Sequence, residues 1–199
     1  MATASEWDER FRKGDSILTE PDSFFLKLRS CYPLLPHWGV PTEDPLKRLQ
    51  ALDLACGSGR HAINLAQVGF ETTAIDFSKQ ALTCVRRSAI HQGVTVDCRL
   101  EDVEAVDFGL GRESYDLVAV FFFLHRPLFP VLRRCLRPGG LVIYKTYTTK
   151  QFRHTEWPRQ RVHVLEPNEL LCLFEGFRVL RYEEEWEGRG TAALIAQKI

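Results

Sequence analysis

Apolar positions in this 199-residue chain fall into short runs that alternate between two spacings. Strand-like runs stand near residues 50–55, 71–76, 94–98, 115–121 and 140–147, and helical spacing fills 60–68, 78–92 and 126–137 between them. That alternation predicts βαβ units wound into a mostly parallel α/β sheet. Upstream, Ser23 to Leu35 puts Phe24, Phe25, Leu28, Cys31 and Tyr32 on one face of an amphipathic helix that Pro33 and Pro36 bring to an end. Downstream, Pro167 opens a short helix through Leu170, Leu171, Leu173 and Phe174, which Gly176 stops. Two last runs, Phe177 to Trp186 and Thr191 to Gln197, flank Gly188-Arg189-Gly190 and predict a hairpin whose final strand enters the sheet antiparallel.

The richest stretch joins the first strand to its helix: Ala51-Leu52-Asp53-Leu54-Ala55-Cys56-Gly57-Ser58-Gly59-Arg60-His61-Ala62. Gly57 and Gly59 permit positive φ and close backbone approach, so a nucleotide is expected at the start of the helix. Gly57-x-Gly59-x-x-Ala62 satisfies the permissive dinucleotide pattern, and Asp76 ends the next strand where a ribose-binding carboxylate stands, so a nicotinamide cofactor stays open at this point. Asp53 argues the other way, because it puts a carboxylate where a dinucleotide-binding strand is usually apolar. It suits a ligand with an ammonium group or, alternatively, caps the glycine turn.

Composition narrows the class. A chain of this size defaults to one domain. With 26 basic and 26 acidic residues there is no charge argument for a nucleic-acid or anionic-membrane partner. No apolar run nears the ~20 residues that span a bilayer, and the opening MATASEWDERFRKGD lacks a signal-peptide core. The six cysteines show no metal-like spacing, which leads us to expect reduced thiols, a cytoplasmic setting, no metal, and a packing role for Cys56. Oligomeric state is not legible.

Five motifs in order, LDLACGSGR, ETTAIDFS, CRLEDVEAVDF, YDLVAVFFFLHR and LRPGGLVIYKTY, resemble the class I S-adenosylmethionine-dependent methyltransferases from Leu49 to Thr148. The resemblance implies a Rossmann-like, doubly wound, mostly parallel seven-stranded sheet with an antiparallel C-terminal hairpin strand. It divides a single domain, 1–199, into an N-terminal helical lid and cap (1–48), a cofactor-binding core (49–148), and a substrate loop, helix and terminal hairpin (149–199). It implies S-adenosylmethionine as cofactor, with Asp53 placing the methionine portion and Ala55, Gly57 and Gly59 forming the turn. Asp76 would accept from the ribose hydroxyls and Phe77 cover the adenine. Asp102, with Glu101 beside it, would accept from the adenine amino group, Val103 would lend its amide, and Phe121 would border the site. The bland readings are helix capping for Asp76, core packing for Phe77 and a solvated loop charge for Asp102.

The donor is already activated, so alignment and water exclusion matter most. His125, after the fourth strand, is a candidate base. No Asn/Asp-Pro-Pro-Tyr/Phe element follows that strand, which disfavours methylation of base amino groups. From Lys145 to His163 the chain is rich in cations, and Lys145, Tyr147, Arg159, Arg161 and His163 are candidates for substrate and catalysis, with a solvated loop as the alternative. The tail from Val162 to Leu170 and from Leu173 to Glu184 is similar to the tellurite-resistance methyltransferases, with thiopurine methyltransferases as neighbours. So is the opening Trp7 to Asp15, whose Trp7 and Phe11 would flank the sulfonium or substrate, or simply dock a helix. The expected function is methyl transfer to a small-molecule acceptor, a thiol or a selenium or tellurium oxyanion. The alternatives are an RNA or protein methyltransferase and a non-catalytic cofactor-binding sensor or subunit.

Overall fold

The computed structural model describes residues 3–39, 48–153, 160–185 and 188–199. The chain begins with α1 (Ala4–Lys13) and α2 (Ser23–Leu26), the latter tightening into a 3-10 helix over Lys27–Leu34. There follow β1 (Gln50–Leu54), α3 (Arg60–Val68), β2 (Glu71–Asp76), α4 (Lys79–Gln92), β3 (Val96–Leu100) and β4 (Tyr115–Phe121). The chain ends with α5 (Leu128–Cys135), β5 (Leu136–Tyr147), α6 (Glu169–Leu173), β6 (Phe177–Glu184) and β7 (Thr191–Lys198).

One seven-stranded sheet runs β3-β2-β1-β4-β5-β7-β6. β1 pairs parallel with both β2 and β4, so strand order reverses beside it and opens a crevice at the carboxyl ends of β1 and β4. β7 runs antiparallel between β5 and β6, as the hairpin reading expects. Side chains alternate across the pleat. Leu52 and Leu54 of β1 join Val118 and Val120 of β4 against Leu128 and Leu132 of α5, while Ala51, Leu117 and Ala119 face Phe24, Phe25 and Leu65. Every residue of β4 is buried, which explains the unbroken apolar run from Leu117 to Phe121.

Three boundaries differ from the sequence reading. The helix expected over 23–35 is α-helical only to Leu26 and continues as a 3-10 helix over Lys27–Leu34, with Pro33 near its end. The third strand lies two residues later than expected. α5 ends at Cys135, and β5 already pairs at Leu136 with Tyr115, then swells through Pro138-Gly139-Gly140 before Leu141 meets Leu117. Gly140 is required there, since a Cβ would stand 2.9 Å from the Arg137 carbonyl oxygen and 3.1 Å from that of Asp116. Between β3 and β4 the chain has no helix, only the connection 101–114.

α1 is a built element. Thr3 and Glu6 close a capping box, and Gly14 ends the helix at φ 84°. Asp8 fastens it to α4 by accepting from Ser78 Oγ at 2.5 Å and from the Gln80 amide at 3.1 Å. The Ser78 hydrogen bond holds the Asp8 carboxyl below its ordinary range, and the charge complements the amino end of α4.

Candidate functional site

The glycine turn is preorganised by its own carboxylates. Asp53, 1% exposed, accepts the Ala62 amide at 2.9 Å, so it ties β1 to the first turn of α3. Burial pushes its carboxyl up to about 8, with the Ala62 amide and the Arg60 charge opposing and the Asp76 charge adding to the rise. The Ala62 amide occupies one carboxylate oxygen of Asp53, which caps the turn. Asp76 accepts the Gly57 amide at 2.9 Å through one oxygen and the Ser78 amide at 2.9 Å through the other. Each oxygen retains a lone pair for a ribose hydroxyl. Burial raises the Asp76 carboxyl above its ordinary range despite these amides.

The two glycines serve different ends. Gly59, at φ 79°, would drive a Cβ to 2.6 Å from Val85 of α4, so it permits helix packing; its amide donates to the Cys56 carbonyl at 2.9 Å. Gly57, at φ 55°, would put its Cβ 3.6 Å from the Phe11 ring, ordinary contact, and faces the space beneath α1. Ala55 also adopts a left-handed φ, 53°. Cys56 is buried, and burial lifts its thiol well above the ordinary value, so it packs.

Segment 17–22 straps across this turn. Ser58 Oγ donates to the Leu18 carbonyl at 2.6 Å and accepts its amide at 3.1 Å. The Asp22 amide donates to His61 Nε2 at 3.2 Å, and the Asp22 carboxylate takes Lys145 Nζ at 3.0 and 3.1 Å. Burial, with Arg60 and Lys145 nearby, drives His61 well below its usual titration range, so it is a neutral acceptor, wedged between Phe25 and Phe121 at centroid distances of 4.6 and 4.0 Å. Ser58, His61 and Asp22 were not legible as site residues, because only the fold brings them together. Trp7 lies half-buried beside Phe11 with Arg10 over its ring at 4.9 Å.

The remaining cofactor candidates sit on the same rim. Phe77 is half-buried and lines a recess of ≈ 470 Å³ with Asp8, Glu9 and Arg12 of α1. Asp102 is exposed and accepts the Glu104 amide at 3.0 Å, Glu101 is half-buried, and Val103 is anchored in the core. Phe121 ends β4. Phe122 after it is held at φ 57°, its amide on the Lys145 carbonyl at 2.7 Å and its ring 5.0 Å from that of Tyr147. Arg60 and Lys145 approach that ring at 6.0 and 5.7 Å.

Two of the expected rim cations are ion-paired. Lys145 is buried in its ion pair with Asp22, and Arg161 is exposed and paired with Glu166 at 2.9 Å, away from the glycine turn. Arg159 and His154 lie outside the described residues. Arg126, the last residue of the YDLVAVFFFLHR motif, holds the segment around His163 against the loop after β4. Arg126 grips Glu169 at 2.6 and 2.8 Å and donates to the Val162 and Val164 carbonyls at 2.7 and 3.1 Å, stapling segment 161–165 to the loop after β4. Among the described residues no three His, Cys, Asp or Glu side chains are arranged to hold a metal ion, and no helix is long and apolar enough to cross a membrane.

Comparison with known proteins places this geometry. Residues 51–140 match a family model described as a methyltransferase domain. The ubiquinone biosynthesis O-methyltransferase of Thiobacillus denitrificans is 33% identical over 133 residues, 64% of this chain and 56% of that protein. The chain spans roughly half the length of the curated relatives it matches. Among solved structures, TehB from Haemophilus influenzae superposes with a TM-score of 0.69 at 16% identity, covering 96% of this chain and 67% of that one. A SAM-dependent methyltransferase from Aquifex aeolicus gives a TM-score of 0.61 at 17% identity over 96% and 98% of the two chains. The fold is that of these enzymes, and the antiparallel last strand sets it apart from a purely dinucleotide-binding sheet.

Proposed function

We propose, from a chain that carries a methyltransferase domain of the S-adenosylmethionine-dependent class over residues 51–140, that it methylates a hydroxyl group of a small molecule. The observation that carries this reading is the crevice beside β1. Its nucleotide side is lined by backbone-locked carboxylates, and its far side by half-buried, protonatable side chains. The O-methyltransferase relatives support an oxygen acceptor.

The residues present suit the cofactor. Asp76 would take the ribose hydroxyls, Asp102 the adenine amino group, and the Val103 amide a ring nitrogen, with Phe77 and Phe121 along the nucleoside. Gly57 lets the backbone approach, while Asp53, Ala55 and Gly59 fix the turn, and Glu101 stands at its mouth. Bound there, S-adenosylmethionine supplies a sulfonium methyl whose departure leaves a neutral thioether. The chain's part is alignment and exclusion of water. Phe11 of α1 lies over Gly57, α1 is fastened to α4 through Asp8, and the strap held by Ser58, His61 and Lys145 lies across the turn. Tyr147, His125 and His163 would face the acceptor.

A thiol or a selenium or tellurium oxyanion is the second reading. Arg60 favours it: the guanidinium is half-buried beside Phe122, and its described hydrogen bond goes to the Glu20 carbonyl at 3.2 Å rather than to a carboxylate. The deciding experiment presents hydroxyl compounds, thiols, selenite and tellurite with S-adenosylmethionine and follows S-adenosylhomocysteine. We expect turnover with hydroxyl acceptors. Turnover confined to the others selects the second reading, and none with any acceptor despite tight cofactor binding makes the chain a non-catalytic binder. S-adenosylhomocysteine is expected to raise the melting temperature and NADH not to.

A further inference from the structure

Arg60 is the first residue of α3 and stands directly after the glycine turn, at the carboxyl end of β1. Its guanidinium is half-buried, and its described hydrogen bond goes to the Glu20 carbonyl at 3.2 Å. The carboxylates whose charge reaches it, Asp22 and Asp53, are engaged elsewhere. Asp22 takes Lys145 Nζ at 3.0 and 3.1 Å and the Phe24 amide at 2.8 Å, and Asp53 takes the Ala62 amide at 2.9 Å. A guanidinium carries five N–H donors in a fixed fork, so among the described residues most of these donors meet no partner. Charges withdrawn from water are normally paired.

Two aromatic rings stand beside this fork. Phe122 follows β4 and Tyr147 ends β5, the strands next in order after β1, so all three side chains leave the sheet at its carboxyl edge, where ligands bind in open α/β folds. The rings lie 5.0 Å apart at 39°, and the Arg60 guanidinium carbon is 6.0 Å from the centroid of Phe122. Lys145 approaches the same ring at 5.7 Å, but its charge is spent on Asp22. Both rings are half-buried and keep surface for a ligand. Phe122 holds its place at φ 57°, with its amide on the Lys145 carbonyl at 2.7 Å. Left-handed backbone at a bulky residue is strain of the kind that gathers at ligand sites.

We propose that the acceptor is a hydroxylated aromatic acid, its carboxylate held in the fork of Arg60 and its ring laid against Phe122 and Tyr147. The inference rests on the hydroxyl reading above and adds the class of the acceptor. An inorganic oxyanion would use the guanidinium and leave the rings idle; a neutral phenol would use the rings and leave the charge unpaired. An aromatic acid uses both. The planar fork matches a carboxylate through two parallel hydrogen bonds, and an aromatic wall with one well-placed charge is how small-molecule sites fix orientation. The methionine portion of the cofactor also carries a carboxylate, so the test separates the two sources.

The test presents the full chain with hydroxybenzoates and with the hydroxybenzamides of the same ring pattern, which differ only in the charge. Wild type is expected to favour the acids by about 10- to 100-fold in kcat/KM. Arg60→Gln should erase that preference by raising KM for the acids, while the amides and the calorimetric affinity for S-adenosylhomocysteine stay within about twofold; Arg60→Lys should keep part of it. Phe122→Leu should raise KM for acids and amides alike, by about fivefold. Calorimetry of hydroxybenzoates into enzyme saturated with S-adenosylhomocysteine gives the same comparison without turnover. Three results would overturn the inference alone: hydroxyl turnover that does not favour aromatic acids, a preference that survives Arg60→Gln, or an Arg60→Gln variant that binds S-adenosylhomocysteine poorly and loses acids and amides equally, which puts Arg60 on the cofactor's carboxylate. Failure of the wild type to methylate any hydroxyl acceptor would overturn the proposed function and this acceptor class with it. Should Arg60→Gln not fold, Arg60→Lys and the wild-type preference decide.

Discussion

At the carboxyl ends of β1 and β2 the buried carboxylates of Asp53 and Asp76 are spoken for by backbone amides; past β3 and β5, Glu104, Thr148, Gln151 and His163 carry buried atoms that nothing meets. Both regions stand at the carboxyl edge of one sheet, where a buried polar group left without a partner is costly. The first is finished before a ligand arrives, as suits a cofactor that never changes. The second keeps hydrogen-bonding capacity open at the same edge of the sheet. A seam joins them: Lys145, from β5, reaches Asp22 of the strap that lies on the glycine turn.

That seam is where the largest effect is expected. Lys145 and Asp22 have side chains only 12% and 11% exposed, and removing one partner of a buried pair costs on the order of 3–5 kcal/mol. Lys145→Ala should therefore lower stability in urea by about that much, and Asp22→Asn combined with Lys145→Met by distinctly less. Equal losses would mean the two regions are not coupled through this pair.

Within the nucleotide region the two glycines should separate. Gly59→Ala adds a left-handed alanine, about 1–2 kcal/mol, to an overlap with Val85 worth about 1–3 kcal/mol, because the Cβ would lie 2.6 Å from that side chain. Gly57→Ala has the backbone term alone, since its Cβ reaches Phe11 only at 3.6 Å, and should instead weaken S-adenosylhomocysteine binding. Denaturant midpoints and calorimetry on both variants measure the split; matching stability losses would erase the distinction.

The two regions also differ in how far they could be read from sequence. The glycine turn, Asp76 and the alternating strands are local signals of period and spacing, and they predict the mostly parallel sheet with its antiparallel last strand. Asp8, Asp22, His61 and Arg126 act across separations that no motif encodes, and each carries a residue type that usually means a solvated surface. For Arg161 and Lys145 the complementary limit applies: a run of cations in sequence does not show the carboxylates that Glu166 and Asp22 bring to them. Pro138-Gly139-Gly140 read as a stop, yet a swelling of the β5 ladder lets it lie inside a strand.

Asp53 allows a test by pH. Its carboxyl is raised to about 8 in the folded protein from an ordinary 3.8, so the fold prefers the neutral acid. The stability this contributes is full below about pH 4 and is lost as pH rises toward 8. Asp53→Asn keeps an acceptor for the Ala62 amide and cannot ionise. Against wild type, a gap of about 3 kcal/mol in favour of the variant should open between pH 5 and pH 7, with cofactor affinity changed less than about threefold if Asp53 is only a cap. A tenfold loss of S-adenosylhomocysteine binding would restore its expected contact with the methionine portion.

The smallest effect compares two residues strained alike. Ala55 and Phe122 both hold left-handed backbone, at φ 53° and 57°, one on each side of the crevice. At Ala55 the side chain is a single methyl group, so Ala55→Gly relieves roughly 1–2 kcal/mol of strain against about 0.5–1 kcal/mol of added chain entropy, and should raise stability by about 0.5 kcal/mol. Phe122→Gly relieves the same backbone but gives up a ring that lies on Tyr147 at 5.0 Å and faces Arg60 and Lys145, so it should destabilise. Opposite signs in thermal unfolding would mean that strain on the nucleotide side is incidental, whereas beside the acceptor it holds an aromatic wall in position. Two stabilising substitutions would remove Phe122 from that wall.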